Sequence, residues 1–241
     1  MTFRQRTGDA LAYAAPIALG LSVSFVGIAP WAAMARLNAR IQPDVPWAAL
    51  ATLVWMVLYL AWLNGAGPPA RWKAARRYRL RLWRPGSNAW SKEGIAVTLM
   101  LMGVIGLFAL VWILTGAPER PADVSHYPSS VYLISVVVMG PLVSGVIEEA
   151  AFRGYMQRGL ERHGTGRAIV VTALAFALAH AVNGLGALPL LPGIFIVGLV
   201  YGLLAYHSGS IVPGMIMHFL GDLAFTYFAL LGGDWHRLFV H

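Results

Sequence analysis

Cysteine is absent from the 241-residue chain. That excludes disulfides, thiolate metal ligands, a cysteine nucleophile and a palmitoyl anchor. Charge is also scarce. Only 12% of residues are charged, and only ten are acidic. An average soluble domain carries about a quarter charged residues. So few charges cannot cover a water-soluble globule of this size. With 58% hydrophobic residues, the chain is not disordered either. Mean hydropathy is +0.65, which places it among integral membrane proteins. Its 26 Gly and 14 Pro suit that class, because membrane helices tolerate both when neighbours satisfy the backbone.

A net charge of +8 would suggest nucleic acid in a soluble protein. Here it is read as topology, and no nucleic-acid partner is expected. Crossing a bilayer takes roughly 17–25 apolar residues. Seven stretches qualify: 10–35, 46–64, 94–115, 130–159, 165–182, 188–207 and 210–231. The first is too long for a signal peptide and has no clear cleavage site, so it is read as a span. The expected fold is all-α, a polytopic transmembrane bundle of about seven spans plus an interfacial helix, forming one integral membrane domain over 1–241.

Basic loops stay in the cytoplasm. Eight basic residues, Arg71 through Lys92, lie between spans two and three beside one acid, Glu93. Arg153, Arg158, Arg162 and Arg167 cluster around the turn after span four. An N-terminus inside puts fourteen basic residues on the cytoplasmic side and leaves Arg36, Arg40, Arg120 and Arg237 outside. The expected topology is therefore N-terminus in and C-terminus out. Segment 71–84 interleaves Trp72, Tyr78, Leu80, Leu82 and Trp83 with basic residues, as an interfacial helix on anionic headgroups would.

Ionisable groups inside a membrane are costly, so each is a functional candidate. They are Glu148, Glu149 and Arg153 in span four, His180 in span five, and His218 and Asp222 in span seven. The other five histidines fall in loops or the tail. Glu149 and Arg153 are spaced i, i+4 with the acid first, which favours a salt bridge and leaves Glu148 free. His218 and Asp222 share a face by the same spacing, as do Phe176 and His180. Glu148 and His180 each stand sixteen residues from Gly164, in the turn between spans four and five. In an antiparallel pair they sit at equal depth, roughly 24 Å from the turn. His218, ten residues beyond Ser208, can reach the same layer. A carboxylate beside a neutral imidazole can hold and deprotonate water, and a second imidazole can donate to a developing oxyanion. The set fits peptide-bond hydrolysis. Glu148, His180 and His218 could equally hold Zn²⁺ with a fourth position open. Singly, a buried Glu–Arg pair is a helix clip and a membrane histidine is packing; co-occurrence on three spans favours a site. Gly198 and Gly202 form a small-residue packing face.

Three motifs carry a resemblance. Residues 148–153 read EExxxR, 176–180 read FxxxH and 218–222 read HxxxD. In this order on successive helices they resemble the CPBP family of CAAX proteases and bacteriocin-processing or immunity proteins, which includes the CAAX prenyl endopeptidase and a myxosortase-like branch. The resemblance covers about 130–231. It implies a glutamate-type intramembrane endopeptidase in a bacterial cytoplasmic membrane, cutting a membrane-anchored protein or peptide. Carried over, Glu148 activates water, His180 holds it, and His218 and Asp222 form the oxyanion side. Glu149, Arg153 and Phe176 support them. Asp222 stands where prenyl endopeptidases carry Asn. A carboxylate there works if protonated, as an orienter of His218, or as a metal ligand. No cofactor is required in this reading, with zinc as the alternative. The competing functions are a silent peptide-binding immunity or scaffold protein and a small proton-coupled transporter. Against the transporter stands the lack of inverted repeats.

Overall fold

The computed structural model describes residues 3–82, 91, 94–95, 98–99, 102–103, 106, 123–183, 185–232 and 235–239. Among them no strand occurs. Helix α1 spans Phe3–Ile41 and α2 spans Trp47–Leu63. A 3₁₀ turn, Ala70–Trp72, leads into α3, Lys73–Leu80. Helix α4, Ser130–Glu148, is capped by the Ser129 side chain and runs directly into a π-helical segment, Glu149–Gln157. Helix α5, Thr165–Ala179, ends in a 3₁₀ turn, His180–Asn183. Helix α6, Leu191–Ser208, follows a 3₁₀ stretch, Leu185–Leu190. Helix α7 spans Val212–Leu231.

Four stretches are long and apolar enough to cross a membrane: Ala12–Ile41, Ser130–His163, Thr165–Val182 and Leu188–Ser208. Helix α2 is a shorter apolar helix of 17 residues, and the 20-residue α7 carries His218 and Asp222. The expected third span, 94–115, lies largely outside the described residues, as do Trp83, Arg84 and Arg120. Exposed apolar stripes recur every fourth residue, at Leu50, Val54 and Leu58 on α2 and at Val170, Leu174 and Leu178 on α5. In water such stripes would be a liability; in a bilayer they are the lipid face.

Loop contacts sort the bundle into two ends. At one end Ser210 Oγ donates to Leu82 O (2.9 Å), Arg81 donates to Ala205 O (3.2 Å) and pairs with Glu161, and Arg162 donates to Ala12 O (2.8 Å). At the other, Ser129 Oγ donates to Pro43 O (2.8 Å). The basic connections therefore share one end, as the charge count expects. The interfacial segment differs in detail. Helix α3 has only eight residues and is docked onto the protein. Leu80 is fully buried, and Arg76 spends its guanidinium on the carbonyls of Ala66, Gly67 and Pro68. Arg71, Trp72, Lys73, Arg77 and Tyr78 remain exposed.

Missing side chains let the helices close. A Cβ on Gly145 of α4 would stand 2.6 Å from the backbone nitrogen of Phe219 on α7, so the two backbones touch there. Gly198 and Gly202 of α6 abut Ala173 and Ile169 of α5, which makes the expected packing face real. Glycine brings neighbouring helices to backbone distance in this way.

Candidate active site

The site is built where α4 gives way to the π-helical segment. Segments of this kind appear as local widenings of a helix, often at functional sites. Its first residue, Glu149, and Arg153 are wholly buried and joined at 2.8 Å. Two unpaired charges could not persist there, so the pair must be satisfied internally. Arg153 also donates to Gly198 O (3.2 Å), and its guanidinium lies 4.3 Å from the Phe176 ring centroid and 5.2 Å from that of Tyr201. The expected salt bridge is thus present, embedded between two aromatic faces.

Glu149 does more than clip the helix. Its Oε1 also lies 3.2 Å from His218 Nδ1 on α7. A carboxylate only accepts, so Nδ1 carries the proton and Nε2 is turned toward the remaining groups. Around Nε2 stand Ser144 Oγ at 3.4 Å, Asp222 Oδ2 at 3.5 Å and Glu148 Oε2 at 3.9 Å. Ser144 donates to Asp222 Oδ2 at 2.6 Å. The His218 ring stacks on Tyr201 (5.1 Å, 27°) and meets Phe176 edge-on (5.8 Å). Gly214, one turn before His218, leaves room for Glu149; a Cβ there would stand 2.7 Å from Oε2.

Glu148 Oε2 is buried and has no hydrogen-bond partner among the described residues. Its side chain is 14% exposed, against 0% for Glu149. His180 caps α5, and its Nδ1 lies 2.8 Å from Phe176 O. A carbonyl accepts, so Nδ1 donates, and in the neutral ring Nε2 is left as an acceptor. His180 lies within electrostatic reach of Glu148, and its ring packs against Phe176 at 4.7 Å between centroids. Phe176 therefore contacts both imidazoles.

All seven sequence-derived residues gather in this region. As placed, Glu148, His180 and His218 do not form a metal-binding group, and no set of three His, Asp or Glu does so among the described residues. The spacing rules missed three features. Ser144 was visible one turn before Glu148, but its partner Asp222 is on another helix. Tyr201, the ring beneath His218, and the Glu149–His218 contact left no signal in the chain.

Residues 130–224 match the type II CAAX prenyl endopeptidase Rce1-like family. No curated protein and no solved structure matches the chain. The matched segment contains every residue of the pocket, from Ser144 to Asp222. Over that segment the chain is similar to this family of prenyl endopeptidases.

Proposed function

We propose that the Rce1-like domain makes this chain an intramembrane endopeptidase that uses a glutamate-activated water. One observation carries the reading: Glu148 presents a buried carboxylate oxygen with no hydrogen-bond partner among the described residues, 3.9 Å from the His218 imidazole and within electrostatic reach of His180. Buried polar atoms are normally satisfied. An orphaned one in a family-matched site fits a place for water.

In this mechanism a water donates one hydrogen to Glu148 Oε2 and the other to His180 Nε2. Glu148 takes the proton as the oxygen attacks the scissile carbonyl. His218, protonated at both ring nitrogens, donates from Nε2 to the oxyanion while Glu149 holds Nδ1. Asp222 is held by Ser144 and faces the same nitrogen, acting as an orienter of His218. Glu148 then passes its proton to the departing amine, so protons balance. No step needs a metal.

The substrate is a membrane-anchored protein or peptide. The chain sits in a bacterial cytoplasmic membrane with the basic end, including α3 at the anionic headgroups, facing the cytoplasm. The N-terminus is inside and the C-terminus outside.

The test replaces Glu148 with Ala and His180 with Ala separately, in cells or vesicles holding a membrane-anchored substrate. Each variant should lose at least about 10²-fold in cleavage rate, the usual contribution of general acid–base groups. If both still cleave at the normal rate, the protease mechanism is wrong. If the unaltered chain binds the peptide and never cuts it, the protein is a binding or immunity module.

A further inference from the structure

At the basic end of the bundle a cleft of about 700 Å³ opens between α1, α3, the end of the π-helical segment and the start of α5. It lies apart from the catalytic pocket. Three guanidinium groups line it, Arg79, Arg158 and Arg162, with one carboxylate, Glu161. That carboxylate is already shared: Arg158 holds it at 2.6 Å, and Arg81 pairs with it too. Positive charge is therefore in excess. Arg158 Nε is buried without a hydrogen-bond partner among the described residues, and its guanidinium lies 4.2 Å from the Tyr78 ring centroid. Arg162 is anchored through Ala12 O (2.8 Å) and His163 (3.0 Å). Among the described residues the Arg79 side chain has no hydrogen-bond or ion-pair partner. The α1 wall, by contrast, is apolar: Ala15, Pro16 and Leu19.

A cleft basic on one wall and apolar on the other suits a group with a phosphate and a hydrocarbon tail. Guanidinium forks match phosphate oxygens, and basic pockets between spans at the cytoplasmic level bind anionic headgroups. The location agrees. The exposed rings of Trp72 and Tyr78, with Arg71 stacked on Trp72, mark the headgroup layer beside it. We infer that this cleft is a discrete binding site for the phosphate of an anionic membrane phospholipid. It goes beyond a basic helix resting on the bilayer, because two of its three arginines come from the turn after the π-helical segment.

The experiment uses the full chain purified in detergent and follows lipid adducts by native mass spectrometry. The probes are dioleoylphosphatidylglycerol, dioleoylphosphatidylcholine and inorganic phosphate. Three variants are compared: Arg79→Gln, Ala75→Trp and Arg77→Gln. Arg79 lines the cleft without an ion-pair partner among the described residues. Ala75 lines the cleft, so a tryptophan blocks it without changing charge. Arg77 is exposed and does not line it. A diffuse basic surface would lose about five-fold for each arginine alike and nothing for Ala75→Trp. The site instead loses phosphatidylglycerol in Arg79→Gln and Ala75→Trp and keeps it in Arg77→Gln. Inorganic phosphate binding with the same variant pattern, and no retained lipid, would keep the phosphate site and change its source. Equal retention of both lipids without phosphate binding, or equal losses in Arg79→Gln and Arg77→Gln, overturns the inference. The readout is independent of cleavage, so it stands or falls apart from the protease reading.

Discussion

Ser144 Oγ donates to Asp222 Oδ2 across 2.6 Å, tying α4 to α7 beside the His218 imidazole. The bond explains how a carboxylate can stand at the position where prenyl endopeptidases carry an amide. One Asp222 oxygen is engaged by the hydroxyl, and that same oxygen lies 3.5 Å from Nε2. An Asn side chain can accept from Ser144 equally well through its carbonyl. Asp222→Asn should therefore retain cleavage, whereas Asp222→Ala should not. Ser144→Ala should lower kcat about five-fold with little change in KM, the loss expected for one hydrogen bond near 1 kcal/mol. Equal activity in Ser144→Ala and the unaltered chain would show that the bond orients nothing.

The Glu149–Arg153 pair sets the stability of the site. Both side chains are 0% exposed, so Arg153→Met leaves a buried carboxylate without its partner. Breaking such a pair costs about 3–5 kcal/mol. Restoring neutrality with Glu149→Gln in the same chain should recover much of that loss, because two uncharged groups replace two charged ones. Thermal unfolding in detergent measures it. The single variant should melt well below the double one; equal midpoints would mean the pair is not the clip described here.

Composition and spacing made much of this legible. Charge scarcity announced membrane helices, and the exceptions to it, Glu148, Glu149, Arg153, His180, His218 and Asp222, are the residues that gather in the bundle. Spacing within one helix predicted the Glu149–Arg153 bond, because i, i+4 neighbours are set by helix geometry alone. It could not predict that Glu149 also reaches His218, or that Ser144 meets Asp222. Those contacts depend on how closely α4 and α7 approach, which Gly145 permits but does not announce. The π-helical segment was equally hidden, since no residue pattern in 149–157 distinguishes it from ordinary helix. Segment 71–84 differs from a helix that only rests on a surface: Trp72 and Tyr78 are exposed, but Arg76 and Leu80 turn inward to dock it.

Zinc gives a sharp test of the donor set. Two ligands of a tetrahedral zinc stand about 3.4 Å apart, given bonds near 2.1 Å. Glu148 Oε2 and His218 Nε2 are 3.9 Å apart, and Nδ1 of the same ring is engaged by Glu149. Cleavage by purified protein should survive a chelator, and metal analysis should find well below one zinc per chain. One zinc per chain, with activity lost on its removal and regained on its return, overturns the water-only mechanism and reinstates Glu148, His180 and His218 as ligands.

Orientation can be read chemically because the chain has no cysteine of its own. Any introduced thiol is then unique, and a membrane-impermeant maleimide reports its side. Val45, between α1 and α2, is 41% exposed at the end that holds Pro43 and Ser129. Arg77 is exposed on α3, at the end that holds Arg81, Glu161 and Ser210. By the positive-inside rule the second end is expected in the cytoplasm. In intact cells Val45→Cys should label at once, and Arg77→Cys only after the membrane is opened. The reverse pattern would invert the whole bundle about the bilayer. It would put the phosphate cleft outside and turn the basic clusters from topology determinants into an external surface.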